Sequence, residues 1–176
     1  MKKMLRPKQS TARNKLLSNI GFTLIELLIY MGLLTVVLLV FTEIFITIVE
    51  NQLSSRNVSN VSSDGRYIYS RMIYDINRAD SITEPSALGS SAATLSFVAD
   101  GSTYTYSLSD NDLLLTDSLG SNNLNGYGTT ISDLSFTRIG NVGGKPTIRI
   151  NYTVTGTISR TGTSESKTFQ TTVGIR

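Results

Sequence analysis

The sequence predicts an α+β fold in which one long N-terminal helix packs on a C-terminal antiparallel β-sheet. The chain is apolar from residue 22 to residue 49, and apolar residues then keep a helical spacing almost to residue 82. Residues 83–176 are rich in serine, threonine, glycine and asparagine and contain short alternating runs, which are typical of half-buried strands. The 176 residues allow one globular domain in addition to an anchor.

The first element, residues 1–21, is a basic leader. It contains no acid and six cations, which are Lys2, Lys3, Arg6, Lys8, Arg13 and Lys15. Basic flanks of an apolar segment stay in the cytoplasm, so the rest of the chain is predicted to lie outside the cytoplasmic membrane. Without the leader, ten lysines and arginines face 13 acids. The charge of +3 on the whole chain is therefore no argument for nucleic-acid binding.

The second element, residues 22–49, is predicted to be a transmembrane helix. As a helix it would extend about 42 Å at ~1.5 Å per residue, and a bilayer core needs roughly 30 Å. A cleaved secretory signal is the rival interpretation, but its apolar region would be shorter and would end at a small-x-small site, which residues 42–51 lack. Glu26 is the one acid from residue 22 to residue 42, and an ionisable group there indicates a function.

The third element, residues 50–82, is predicted to be the amphipathic half of the same helix. Its apolar residues fall at spacings of 3, 7, 4, 4 and 3, which places on one face Val58, Val61, Ile68, Met72, Ile76 and Ala79. Asp75 has Arg71 and Arg78 at helical spacing, and these charges are predicted to be solvated. Gly65 and the polar residues 54–57 weaken helix propensity, which predicts a bend or a frayed turn.

The last element, residues 83–176, is predicted to form one sheet of about six strands, covered by the apolar helix face. The strands are expected at residues 94–98, 103–108, 112–116, 131–138, 147–154 and 167–175. Asp100-Gly101 is a strong hairpin signal because it supplies positive φ at low cost. A second turn is expected at residues 109–111, and residues 117–130 are expected to be a surface loop.

The run Gly21-Phe22-Thr23-Leu24-Ile25-Glu26-Leu27-Leu28 lies between the leader and the apolar tail. It resembles the cleavage and methylation signal of type IV pilins and of type II secretion pseudopilins. The resemblance implies that a prepilin peptidase cuts between Gly21 and Phe22 and that the new amine of Phe22 is N-methylated. It also implies that Glu26 meets that amine on a neighbouring subunit. The charges would then offset part of the desolvation that each suffers alone.

The same resemblance implies a pilin-like fold and a structural role. The subunit would wait in the cytoplasmic membrane as a single-pass protein with its C-terminal domain outside, and would then join a pilus or pseudopilus fibre. Its partners would be the prepilin peptidase, other pilin or pseudopilin subunits, the membrane platform protein and the lipid bilayer. The helix end at residues 74–79 and the order of the strands are similar to minor subunits, which favours a minor over a major subunit.

Composition argues against catalysis. Cysteine and histidine are both absent, which removes disulfides, thiolate metal sites and the commonest general base. A Ser–Lys hydrolase is formally open, but no such pair lies in a recognisable motif. The protein is therefore expected to be no enzyme and to need no cofactor.

Three alternatives stay open. The first is a signal-anchored binding or adhesion module that does not assemble. The second is calcium binding by Asp110, Asp112 and Asp117, although turn composition explains these residues equally. The third is single-stranded nucleic-acid binding by tyrosines 67, 69, 74, 104, 106, 127 and 152. Packing is favoured over nucleic-acid stacking because Tyr104 and Tyr106 share one strand face.

Overall fold

The computed structural model describes residues 21–157 and 164–176. Residues 1–20, which hold almost all of the predicted leader, lie outside the described residues. The chain forms two compact units that divide between Ile44 and Phe45. Helix α1 spans Leu24–Asn77. The strands that follow are β1 (Ser81–Glu84), β2 (Ser91–Ala92), β3 (Leu95–Ala99), β4 (Ser102–Ser109), β5 (Asp112–Asp117), β6 (Gly120–Asn123), β7 (Thr129–Ile139), β8 (Thr147–Gly156) and β9 (Ser166–Gly174).

The α+β layout is confirmed, but the single predicted sheet is wrong. The strands form two antiparallel sheets, one ordered β1-β3-β4-β5-β6 and the other β2-β7-β8-β9. All six predicted strands exist, and β1, β2 and β6 are additional. The additional strands are two to four residues long and carry no alternating apolar pattern, so periodicity could not reveal them. Turn signals specify pairs of consecutive strands, and they do not show where one sheet ends.

Both predicted turns are confirmed. Asp100 and Gly101 have φ of 52° and 74°, and they join β3 to β4 where Ala99 pairs with Ser102. Asp110 and Asn111 have φ of 48° and 69° and join β4 to β5. Two consecutive positive φ values match the twist of the flanking strands, which explains the tight connections.

The predicted helix face is largely confirmed in the second unit. Its buried apolar members are Val61, Ile68, Met72, Ile76 and Ala79. Val58 is wrong, because 43% of it is exposed. The buried residue of that turn is Asn57, which lies against Gly156 so closely that a Cβ on the glycine would overlap the Asn57 amide. Because Gly156 on β8 has no side chain, there is room for Asn57, and this residue rather than Val58 faces the strands.

Gly65 does not interrupt the helix, so the predicted frayed turn is wrong. Helical structure continues through residues 54–57 and through Gly65. A Cβ at Gly65 would overlap the ring of Phe169 on β9. The carbonyl of Gly65 accepts a 2.8 Å hydrogen bond from the Tyr152 hydroxyl on β8. The glycine serves the close approach of helix and sheet.

Candidate functional site

Helix α1 begins with a polar cap. The Thr23 hydroxyl accepts a 3.3 Å hydrogen bond from the backbone N–H of Glu26, and the Thr23 carbonyl accepts one from Leu27 at 3.1 Å. Threonine at the cap and glutamate three residues later is the capping-box pattern. The Glu26 side chain instead hydrogen-bonds forward along the helix. The cap therefore fixes where α1 begins and leaves the carboxylate free for another use.

Tyr30 is the side-chain partner of Glu26 within the helix. Its hydroxyl donates a 2.8 Å hydrogen bond to Glu26 Oε1 across one helical turn. The Tyr30 ring also meets the Phe22 ring edge to face, with centroids 6.1 Å apart and planes at 79°. Glu26 and Tyr30 are one helical turn apart. Phe22 precedes the helix and reaches this side of it through its ring contact with Tyr30.

Apolar side chains surround this acid on every side of the helix. From Leu24 to Ile46 the large apolar residues are between 40% and 80% exposed. Among the described residues, α1 is the one helix long and apolar enough to cross a membrane. A helix that is apolar all round normally lies in lipid or among other helices. This stretch therefore has the properties of a membrane or assembly segment.

The Gly21–Phe22 peptide bond lies just before the helix. Both residues are exposed, and 75% of Phe22 is accessible. A Cβ added to Gly21 would meet nothing within 4 Å. The described part of the chain thus imposes no steric requirement for glycine at this position, so any such requirement would come from a partner that binds the segment.

A second charged cluster lies in the other unit, and it corrects the prediction of a solvated Asp75. The Asp75 side chain is fully buried. Its Oδ2 accepts hydrogen bonds from the Tyr106 hydroxyl at 2.6 Å and from Arg71 Nε at 2.9 Å. Arg78 Nε lies 3.2 Å from Oδ1 without the orientation of a hydrogen bond. The sheet supplies Tyr106, a partner that helical spacing alone cannot indicate.

Two groups of this cluster hold their protons more tightly than usual. Burial is the largest cause that raises the pKa of Tyr106, and the hydrogen bond and charge of Asp75 add to it. Burial opposes the charge of Arg71, but the hydrogen bond and charge of Asp75 raise its pKa overall. Tyr106 and Arg71 therefore both remain protonated at neutral pH, and the cluster connects the helix to the sheet.

A third polar group ties the segment after β6 to the helix. Asp64 accepts a 2.8 Å hydrogen bond from the Gly126 backbone N–H and another from the Thr129 hydroxyl. The buried Asn125 accepts a bond from the Leu113 N–H and donates to Asp112. The predicted loop at residues 117–130 is therefore only partly a loop, since it contains β6 and a segment anchored to helix and sheet.

The calcium candidates do not come together. Asp112 and Asp117 are the two ends of β5, about 17 Å apart at ~3.3 Å per residue. The Asp112 oxygens accept amide hydrogens from Asn123 and Asn125, and Asp117 accepts the Leu119 N–H. One calcium ion needs its oxygens within about 2.6 Å. Over residues 21–157 and 164–176, no group of three acidic side chains could hold a metal.

The tyrosines are distributed over several surfaces. Tyr106 is buried and Tyr104 is half-buried, and both stack on Phe97 with centroids 6.2 Å and 5.5 Å away. Tyr67, Tyr74 and Tyr127 are exposed on the helix and on the segment after β6. The predicted packing of Tyr104 with Tyr106 on one face is confirmed.

Comparison of the chain with known proteins finds no match. No family model, curated protein or solved structure matches the chain. The assignment of a role therefore rests on the residues and on their geometry.

Sequence reasoning missed Tyr30 and Tyr106 as partners of the two central acids. Tyr30 could have been found, because it stands four residues after Glu26 on the same helix side. Tyr106 could not, because it is separated from Asp75 by 31 residues and meets it only through the fold.

Proposed function

We propose that this chain is a structural subunit, of the minor class, in a type IV pilus or a type II secretion pseudopilus. In this proposal prepilin peptidase cuts between Gly21 and Phe22, and the new amine of Phe22 is methylated. Before assembly, the subunit lies in the cytoplasmic membrane with residues 83–176 on the extracytoplasmic side. The membrane platform protein and other subunits then take it into the fibre.

The observation that carries this proposal is the position of Glu26. It is the one acid from residue 22 to residue 42, in the first turn of a helix whose large apolar side chains are exposed from Leu24 to Ile46. Uniform apolar packing between helices favours no axial position over another. A single charged pair does, because any slip leaves a carboxylate and an amine unpaired in a medium without water. Glu26 would therefore set the register between subunits.

The accessible Gly21–Phe22 bond supports the processing step. A peptidase needs an exposed, non-helical bond, and this bond lies before the first residue of α1. Cleavage would remove all six leader cations and create one ammonium group at Phe22. In the chain, that ammonium would be four residues from Glu26. In a fibre of staggered subunits, it would lie beside the Glu26 carboxylate of a neighbouring subunit.

The test uses the full chain in cells that contain its peptidase and assembly machine. Glu26→Ala and Glu26→Leu should insert in the membrane normally and be processed, but their incorporation into fibres should be abolished or strongly reduced. Leu28→Ala is the matched control, a truncation in the first turns of the helix without loss of charge, at a residue outside the groove that holds Phe22 and Tyr30. Normal incorporation of both Glu26 variants would refute the register role.

The N-terminus separates this proposal from a signal-anchored binding module. Intact mass and N-terminal sequencing should give a protein that begins at methylated Phe22, and Gly21→Leu should retain the leader. A protein recovered with residues 1–21 attached while the peptidase is active would favour the anchored module.

A further inference from the structure

The Tyr30 hydroxyl has a different kind of partner from the hydroxyls of Thr35 and Thr42. The Thr35 and Thr42 hydroxyls each donate a 2.8 Å hydrogen bond to a backbone carbonyl of their own helix, those of Met31 and Leu38. The Tyr30 hydroxyl donates to the carboxylate of Glu26 at 2.8 Å. This hydrogen bond joins Tyr30 and Glu26, which are the one tyrosine and the one acid in the sequence between residues 22 and 42.

The Tyr30 ring also has apolar contacts. The Tyr30 ring meets the Phe22 ring edge to face at 6.1 Å. Both rings line a shallow apolar groove of about 270 Å³, together with Leu27, Met31 and Leu34. Ring contacts of this geometry are favourable beyond area burial. The ring therefore has apolar neighbours while its hydroxyl is bonded to the carboxylate.

The bond occupies Oε1 of Glu26. A carboxylate can accept hydrogen bonds at two oxygens and about four lone-pair positions. A second donor can therefore approach Oε2 without displacing Tyr30.

We propose that Tyr30 is a positioning residue for Glu26: its hydroxyl satisfies one carboxylate oxygen in the unassembled subunit and orients the other toward the amine of a neighbouring Phe22. This inference rests on the proposed function. Before assembly, the Tyr30 hydroxyl is the internal hydrogen-bond partner that the Glu26 carboxylate requires in an apolar medium without water. During assembly it reduces the number of orientations that the carboxylate must lose when the pair forms.

Incorporation into fibres tests the role of the hydroxyl. Tyr30→Phe removes only the hydroxyl, and Tyr30→Leu removes the ring as well. Both variants should lower the ratio of fibre-bound to membrane-bound subunit by about two- to tenfold, because the carboxylate then has more orientations to lose when the pair forms. Thr35→Val is the matched control, since it removes a hydroxyl that donates to the backbone, and it should incorporate normally.

A spectroscopic measurement detects the bond without assembly. The unassembled full chain is labelled with carbon-13 at glutamate carboxyl groups and reconstituted in phosphatidylcholine vesicles. Its infrared carboxyl bands are compared with those of Tyr30→Phe, and Glu26→Gln identifies the Glu26 band. We expect Tyr30→Phe to shift that band and to leave the bands of the other four glutamates unchanged.

The outcomes distinguish this inference from the proposed function. Normal incorporation of Tyr30→Phe, or a Glu26 band that does not move, would overturn the positioning role. A defect in Tyr30→Leu alone would also overturn it, because the ring and not the hydroxyl would then matter. Glu26→Ala that assembles normally would refute the proposed function itself, whatever the infrared bands show.

Discussion

At the scale of single residues, two acids on the same helix have opposite surroundings. Glu26 lies among exposed apolar side chains and has a tyrosine from its own helix as partner. Asp75 is fully buried between two arginines and has a tyrosine from the sheet as partner. Burying a charge is unfavourable unless it is paired and hydrogen-bonded. Asp75 meets this condition within one chain, whereas in the proposed fibre Glu26 would take its charged partner from a second chain.

The Asp75 cluster predicts a graded loss of stability. Asp75→Ala leaves two arginines close together with no carboxylate, and it should lower the free energy of unfolding by about 3 kcal/mol. Tyr106→Phe removes one hydrogen bond to a charged group and should lower it by about 1.5 kcal/mol. Urea unfolding of the detergent-solubilised full chain measures both changes.

Glu165→Gln, which neutralises an exposed acid in the same unit, serves as the control for this series. It should leave the free energy of unfolding within about 0.5 kcal/mol of the wild type. Equal stability of Asp75→Ala and the control would contradict the assignment of a buried pair.

Gly65 predicts a steric defect at one residue. Alanine would gain helix propensity of up to about 1 kcal/mol, but its Cβ would overlap the Phe169 ring. Overpacking of a buried contact should outweigh this gain, with a net loss of about 1–2 kcal/mol. Phe169→Leu should relieve part of the defect in the double variant, and thermal melting measures the coupling.

Gly32→Ala is the matched control, since a Cβ there meets nothing within 4 Å. If the two alanine variants melted at the same temperature, the close approach of helix and sheet at Gly65 would be wrong.

At the scale of elements, the second half of α1 is joined to both sheets by polar bonds as well as by apolar contacts. Asp75 meets β4 through Tyr106, and Gly65 meets β8 through Tyr152. Asp64 holds the segment after β6 through Gly126 and Thr129. Hydrogen bonds are directional, so these three connections fix the rotation of the helix, which the apolar stripe defines only broadly.

Asp64 predicts the order of the segment after β6. Asp64→Ala removes the acceptor for the Gly126 N–H and the Thr129 hydroxyl, so this segment should open locally more often. Amide hydrogen exchange at Gly126 should be about tenfold faster, and protease cleavage beside the exposed Tyr127 should increase. The readouts are exchange mass spectrometry and limited proteolysis of the full chain.

Ser63→Ala is the control for Asp64, because it changes the preceding, exposed helix residue. Exchange at Gly126 that is equally slow in all three proteins would show that the segment is held by Asn125 alone.

At the scale of the whole molecule, the two buried tyrosine hydroxyls make stability depend on alkaline pH. Burial raises the pKa of Tyr106 and, with the nearby Tyr69, that of Tyr152 above the ordinary value of 10.0. Below pH ~10 both folded and unfolded chains keep these protons. Above it the unfolded chain loses them and the folded chain does not, so stability falls as pH rises.

Each retained proton should lower the free energy of unfolding by about 1.4 kcal/mol per pH unit above pH ~10. Melting temperatures from pH 8.5 to 11.5 should therefore fall more steeply in the wild type than in Tyr106→Phe or Tyr152→Phe. Tyr127→Phe, a change on a fully exposed side chain, should keep the wild-type slope. Identical slopes in all four proteins would refute the raised pKa values.

Features that depend on neighbours along the chain could be predicted from local sequence. These are the helix and the face from Val61 to Ala79, the six alternating strands, and the two turns at Asp100-Gly101 and Asp110-Asn111. The positions of Phe22 and Glu26 near the start of the helix are also local features. The contact of Tyr30 with Glu26 could in principle have been predicted in the same way. Each follows from a repeat of 2 or 3.6 residues or from a positive φ, which are properties of short segments.

Features that depend on partners distant in the sequence are seen only in the folded structure. The division of the strands into two sheets, the use of Gly65 for close packing, the choice of Asn57 over Val58 and the burial of Asp75 all depend on residues 30 to more than 100 positions away. A charge beside two arginines on a helix is normally solvated, and it became a buried connection because β4 places the Tyr106 hydroxyl against it. Local periodicity carries no information about such partners, because their separation in space is set by the packing of the whole unit.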